Sequence, residues 1–232
     1  MSKNLSVVIP CFNEEGTIAE IIARVLEQAC VREIIVVDDA STDSSSQVIA
    51  KILDSRVLLL SNSVNSGKGA SVRKAFEHAT SEYVLIQDAD LEYSPEEYER
   101  LLGPLESGYA DAVFGSRFLS YGSRRALYFW HSMGNRMLTN LSNAFSNLYL
   151  TDMETCYKVI RTDFAKRLNL QENRFGIEPE ITAKLAKMNA RIYEVGISYH
   201  GRTYEEGKKI TWKDGLSAVR CIVKYNLAKK QF

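Results

Sequence analysis

The sequence predicts an α/β protein with a mostly parallel central sheet, helices on both faces and an elaborated C-terminal half. Two observations carry this. The first 115 residues alternate short apolar runs with amphipathic stretches, the texture of repeated strand–helix–strand units. Three of those runs end in acids or amides: Asn13 and Glu14, Asp38 and Asp39, Asp88 and Asp90. Open parallel sheets bind ligands beyond the carboxyl ends of their strands, where these residues fall.

The elements follow in order. Leu5–Pro10, Glu33–Asp38, Val57–Leu60, Tyr83–Ile86 and Asp111–Phe114 read as buried strands, because each is a short, nearly continuous apolar run. Ile18, Ile21, Ile22, Val25, Leu26 and Ala29 recur at spacings of three and four, which predicts a helix between the first two. Ser94-Pro95-Glu96-Glu97 has the form of a capping box with Pro at the first helical position, so another helix is expected to begin there. From 120 to 150 the chain is rich in Arg, Tyr, Trp, Asn and Ser, with helical periodicity but a patchy apolar face. Thr151–Val195 returns to strand and helix. A last helix from about Thr211 would place Trp212, Leu216, Val219, Val223 and Leu227 on one face, with Lys213, Arg220, Lys224, Lys229 and Lys230 around it. No linker-like composition or repeat interrupts the chain, so a single domain over 1–232 is expected.

Composition narrows the function. With 29 basic and 29 acidic residues the net charge is zero, which argues against a bulk nucleic-acid binder. Cys11, Cys30, Cys156 and Cys221 are scattered without metal-ligand spacing, and are expected to be reduced, buried thiols of a cytoplasmic protein. No apolar run approaches the roughly 18 to 20 residues that span a bilayer, and the opening residues do not resemble a signal peptide. From Gly201 to Phe232, eight Lys or Arg face three Asp or Glu, which suggests phosphate or an anionic membrane surface as a partner.

Asp88-Ala89-Asp90 is the strongest chemical signal. Two carboxylates one residue apart at a strand end can share Mg²⁺ or Mn²⁺, which prefer oxygen ligands and keep positions open for substrate phosphate. In Val37–Asp43, a strand-end carboxylate can accept hydrogen bonds from a nucleobase or ribose, while Ser41 or Asp43 caps the following helix. Asn65–Ala70 lacks the pattern of a phosphate-binding P-loop and reads as a flexible turn that opens a helix. Arg117, Arg202 and Lys208 are candidate clamps for a departing diphosphate, whose growing charge needs preorganised cations.

Together, Val8–Glu14, Val37–Asp43, Asn65–Ala70, Asp88-Ala-Asp90 and Gly115-Ser-Arg117 stand in the order seen in glycosyltransferase family 2. Residues 5 to about 210 resemble that family, and within it the dolichyl-phosphate mannose synthase group and its bacterial relatives. The resemblance implies a GT-A fold with a nucleotide-sugar-binding half (1–117), an acceptor-side half (118–210) and a basic amphipathic C-terminal helix (211–232). It implies that Pro10, Phe12, Glu14, Val37 and Asp39 line the donor's base and ribose. It gives Asp88, Ala89 and Asp90 the metal and diphosphate, with Glu92 a further ligand where the synthases often have Gln. It assigns Arg117 to the transferred or accepted phosphate, Arg202 and Lys208 to a loop over the donor, and Asp152 to the acceptor side.

The expected reaction is inverting, metal-dependent transfer from a GDP- or UDP-sugar to a polyprenyl phosphate, with Asp90, Arg117 and Asp152 central. An anionic acceptor needs positioning by cations more than it needs a general base, and Arg124, Arg125 and Arg136 are expected near its headgroup. The C-terminal helix either lies on a membrane or packs on the sheet. Two alternatives remain open: transfer to a hydroxyl with Asp152 or Glu154 as base, and an inactive nucleotide-sugar-binding subunit.

Overall fold

A computed structural model of the chain describes residues 4–119, 125–126, 128–202 and 212–228. Its strands are β1 (Leu5–Cys11), β2 (Val31–Asp38), β3 (Val57–Ser61), β4 (Tyr83–Ile86), β5 (Ala112–Ser116), β6 (Lys158–Arg161) and β7 (Ile192–Gly196). They form one sheet in the order β3-β2-β1-β4-β6-β5-β7. β1 runs parallel to β2 and β4, and β2 to β3. β6 is antiparallel to both β4 and β5, while β7 is parallel to β5. The sheet is therefore mostly parallel, as the sequence predicts, with one reversed strand drawn from the C-terminal half.

Burial follows the apolar runs. Val7, Val8 and Ile9 of β1 and Ile34 to Val37 of β2 have no exposed surface, as expected for strands covered on both faces. β3 departs from the expectation of a buried strand. It is an edge strand, and Leu58 is exposed. A continuous apolar run does not reveal whether its second neighbour exists.

The helices are α1 (Ile18–Leu26), α2 (Ser45–Ala50), α3 (Lys68–His78), α4 (Tyr98–Glu106), α5 (Phe129–Ser146), α6 (Thr162–Arg167), α7 (Ile177–Lys187) and α8 (Trp212–Leu227). α1 buries Ile18, Ile21, Ile22 and Val25, the predicted stripe. α4 begins after a single 3-10 turn, Pro95–Glu97, with Pro at its start. The expected capping box does not form. Ser94 makes no side-chain cap bond, and Glu97 instead accepts from Arg100 and from the backbone N–H of Ser198. A distant backbone donor has outcompeted the local one.

The expected face of α8 is also corrected. The helix lies against α7 and α5 and buries Ala218, Cys221, Ile222 and Tyr225, spaced i, i+3, i+4, i+7. Leu216, Val219 and Leu227, from the expected stripe, are exposed. Glu172 sets the rotation: its carboxylate accepts from Arg220, Lys224 and the Tyr225 hydroxyl at 2.7, 3.0 and 2.8 Å. Partial burial pushes this carboxyl up, but those three donors bring it down to about 2. Two of the helix's cations thus face the protein. Lys229 and Lys230 lie outside the described residues, as do Arg124 and Lys208.

The turn at Asn65–Ala70 opens α3 as predicted, yet it is clamped rather than flexible. The backbone N–H groups of Ser66 and Gly67 donate to Asp39 at 2.9 and 2.6 Å, and Gly67 has a φ of +95°. A Cβ on Gly69 would sit 2.2 Å from the Glu172 carbonyl oxygen, a backbone atom that cannot swing away. Gly69→Ala is therefore expected to lower unfolding stability in urea by about 2 kcal/mol, in the range of core overpacking. Gly134→Ala, mid-helix with nothing within 4 Å of its would-be Cβ, is expected to raise it by about 0.5 to 1 kcal/mol. Equal urea midpoints for the two variants would refute this account of the turn.

Candidate active site

The chain crosses from β1 outward to β2 and β3, then returns to place β4 on the other side of β1. This reversal opens a crevice beyond the carboxyl ends of β1 and β4. Pro10 to Glu14 leave β1 on one side of it, and Asp88 to Asp90 leave β4 on the other. They are tied together where the Thr17 hydroxyl donates to the Ala89 carbonyl at 2.9 Å. Asn13 and Ala40, which follow β1 and β2, both take left-handed φ values of +52° and +58°. For Ala40 this costs about 1 kcal/mol or more, so neighbouring contacts hold the backbone there.

Three carboxylates gather around one guanidinium. Arg202 lies 2.5 Å from Asp90 and 3.5 Å from both Glu14 and Glu92, and its backbone N–H donates to Glu92 at 2.7 Å. Burial, Asp88 and Glu92 together push the Asp90 carboxyl up to about 7, with Arg202 pulling the other way. Arg202, expected to clamp a diphosphate, here neutralises acids.

Asp88 has its own partner. Lys68 Nζ lies 2.9 Å from Asp88 and 3.0 Å from Glu178. Burial pushes Asp88 up, but Lys68 outweighs it and holds the carboxyl below its ordinary value. Asp39, expected to meet the base or ribose, is buried and accepts from Asn62, Ser66 and Gly67. Its neighbour Asp38 is equally buried, and one of its oxygens has no partner. Val37 lies wholly in the core, so its side chain has no ligand-facing surface, whereas Pro10 and Phe12 are partly open.

The acceptor-side residues form a second group. Arg117, at the end of β5, is bidentate to Asp152, with Nε to Oδ2 at 2.7 Å and Nη2 to Oδ1 at 2.8 Å. Its guanidinium also sits 5.2 Å over the Tyr199 ring. Asn135 of α5 donates to the same carboxylate at 3.1 Å, as does the Arg117 backbone N–H. Asp152 is fully buried. Arg125 donates to the Gly201 carbonyl, and Arg136 is exposed on α5.

Residues 6–168 match the sequence profile of glycosyl transferase family 2. The chain belongs to this family. It is a glycosyltransferase. It is 30% identical to the low-salt glycan biosynthesis hexosyltransferase of Haloferax volcanii, over 95% of the chain and 53% of that protein. It is 36% identical over 45% of its length to an undecaprenyl-phosphate 4-deoxy-4-formamido-L-arabinose transferase of Pseudomonas fluorescens, a third of which is covered. The chain thus spans about half and a third of these two relatives. Its structure is similar to glucosyl-3-phosphoglycerate synthase of Mycobacterium tuberculosis, solved with Mn²⁺, UDP and glucosyl-3-phosphoglycerate, with a TM-score of 0.74 at 18% identity over 99% of the chain and 82% of the synthase. This likeness establishes the GT-A fold. Other crystals of that synthase hold Mg²⁺ with UDP.

For a divalent cation, the transferase offers oxygen donors of the right kind in Asp88 and Asp90. The crowding that raises Asp90 is the repulsion such a cation would relieve. The expected third ligand is engaged elsewhere: Glu92 accepts from the Tyr199 hydroxyl and from Arg202. Among the described residues no three Asp, Glu, His or Cys side chains form a metal cage. The donor set therefore fits a cation held by one or two carboxylates and completed by substrate phosphate, as is usual for Mg²⁺.

Lys68 escaped the reading of the sequence, although a signal for it existed. A cation in the first turn of a helix is disfavoured by the helix dipole, so Lys68 at the start of α3 needs a reason beyond helix stability. Asn135 and Tyr199 gave no comparable signal, since their roles depend on how α5 and the segment after β7 return to the sheet.

Glu154 is a poorly compensated acid of the transferase. One of its oxygens is buried without a partner, and burial and nearby Glu178 push its carboxyl up to about 7, against Lys158 and Arg117. A carboxyl whose pKa is higher folded than unfolded binds more protons in the folded state. Its contribution is thus favourable below the unfolded value of about 4.3 and is lost as pH rises through about 7. Glu154→Gln is expected to stabilise the protein at pH 8 relative to wild type, and by less at pH 5. Urea unfolding at both values checks this, and a pH-independent difference would count against it.

Proposed function

We propose that this transferase moves a sugar, with inversion, from a GDP- or UDP-sugar to a polyprenyl phosphate at the cytoplasmic face of a membrane. The observation that carries the acceptor class is the state of Asp152. Its carboxylate takes three hydrogen bonds from Arg117 and one from Asn135 and has no surface exposed to receive a proton. It suits an orienting role better than that of a general base. A phosphate oxygen is already anionic, so it needs no base. The name of the undecaprenyl-phosphate relative supports the same class.

In this reading an acceptor phosphate oxygen attacks the anomeric carbon as the bond to the donor's diphosphate breaks, and the nucleoside diphosphate leaves. Asp152 and the Tyr199 ring hold the Arg117 guanidinium so that it can face the acceptor phosphate. Asp88 and Asp90 would hold the divalent cation, which supplies charge to the leaving diphosphate. Lys68 is near enough to Asp88 to add a second positive charge. The unpartnered oxygen of Asp38 makes this residue, beside Asp39, a further acceptor for donor hydroxyl or N–H groups. Lys208 remains the expected second cation of the closing loop.

A second reading keeps Glu154 as the base for a hydroxyl acceptor. Its raised pKa and partnerless oxygen support it. Incubation with labelled donors, offered polyprenyl phosphate or soluble sugars, separates the two. Label confined to soluble products would sink the lipid-phosphate reading. Asp90→Ala is expected to lower turnover at least about a hundredfold, the scale of losing one preorganised electrostatic contact. Wild-type protein that neither transfers nor hydrolyses any donor with Mg²⁺ or Mn²⁺ would point to an inactive nucleotide-sugar-binding subunit.

A further inference from the structure

Helix α5 has its polarity partly reversed. A surface helix normally buries apolar side chains and shows polar ones to water. Beside Leu138 and Leu141, which pack on the core, the inward side of α5 carries Asn135, Thr139 and Asn143. Asn135 bonds Asp152, Thr139 receives the Met153 backbone N–H, and Asn143 pairs with both backbone groups of Leu150. Facing out are Phe129, Trp130 and Met137, at 65%, 79% and 66% exposure, with Met133 between them. The Phe129 and Trp130 rings meet edge to face at 5.2 Å, so they form one apolar patch. α8 lies beside α5 and turns Leu216 and Leu227 outward as well.

Charge says what would cover this face. From Phe118 to Leu150 the sequence carries three arginines, 124, 125 and 136, and not one Asp or Glu, in a chain with 29 acids. A bilayer interface with anionic headgroups satisfies both features, since Trp and Phe favour the headgroup boundary and Arg pairs with lipid phosphate.

We propose that the outward face of α5 is a membrane-docking surface that seats this protein on an anionic bilayer. Arg220 and Lys224 of α8 are not part of this contact, because both are turned to Glu172. The purpose of the surface rests on the lipid-phosphate reading above. The helix whose outer side meets lipid bonds Asp152, and through it Arg117, on its inner side. The same helix would then meet the headgroups on one side and, through Asn135 and Asp152, hold Arg117 in place on the other.

The full chain is sedimented with phosphatidylcholine vesicles, with and without phosphatidylglycerol, and compared with Trp130→Ser/Met137→Ser and with Leu53→Ser, which removes an apolar side chain exposed after α2. The expected result is binding that strengthens with the anionic lipid, falls roughly tenfold or more in the double variant and is unchanged in Leu53→Ser. In a Trp212→Phe background, Trp130 emission should shift to the blue on vesicles. No binding, or equal binding by the double variant, overturns the proposal. So does a concentration-dependent dimer that the double variant splits in the absence of vesicles. The two readings fail separately. Transfer to a short, water-soluble polyprenyl phosphate without vesicle binding removes the docking surface and keeps the acceptor. Vesicle binding by this face with transfer only to hydroxyl acceptors does the reverse.

Discussion

The 2.5 Å ion pair between Arg202 and Asp90 marks the constraint on which the site depends. Parallel strands β1, β2 and β4 bring Glu14, Asp38, Asp39, Asp88 and Asp90 to neighbouring strand ends, where water is largely excluded. Buried negative charges of that density must be neutralised, protonated or bonded. Each of the three solutions is present. Arg202 and Lys68 neutralise Asp90 and Asp88, burial and crowding push Asp90 towards its protonated form, and backbone N–H groups of the Asn65–Ala70 turn satisfy Asp39. The rigidity of that turn is therefore a consequence of the acid it serves.

The N-terminal half was largely legible in the sequence. Strands buried on both faces leave an unbroken apolar run, and α1 leaves a spacing of three and four. The acids that end β1, β2 and β4 stood out because charge at the end of an apolar run has no packing reason to be there. What the sequence hid was tertiary. β6 is four residues long and begins with Lys158, whose Nζ is buried and donates to the Met153 and Thr155 carbonyls. Nothing in such a segment announces a strand between β4 and β5. The capping box at Ser94 failed for the same reason, since Glu97 finds its partner at Ser198.

The candidate site divides along the same line. Asp88 and Asp90 could be located from local pattern alone, but their partners could not. Glu92 was expected beside a metal and instead meets Tyr199, while Arg202 was expected on a phosphate and meets three acids. Both differences arise because the segment after β7 folds back across the end of β4, where the His200 backbone N–H donates to the Glu92 carbonyl. A residue's type announces what it can bind. Its neighbours decide which of those bonds it makes while no substrate is present.

The reversed polarity of α5 follows from the same logic carried into the second half of the chain. Asp152 is buried, and Arg117 leaves part of its bonding to others, so the helix packed over this segment supplies an amide to the carboxylate and a hydroxyl to the next backbone N–H. With those inward bonds to make, α5 keeps Leu138 and Leu141 on the core and leaves Phe129, Trp130, Met133 and Met137 outside. The patchy apolar face seen in the sequence from 120 to 150 is thus not a weak core signal. It records a helix with two obligations, a polar one to the carboxylate beneath it and an apolar one to whatever covers Phe129, Trp130 and Met137. In a soluble core helix those three residues would point at the sheet. Here the inward side already carries the bond to Asp152, which ties the outer surface of the protein directly to the geometry of its acceptor side.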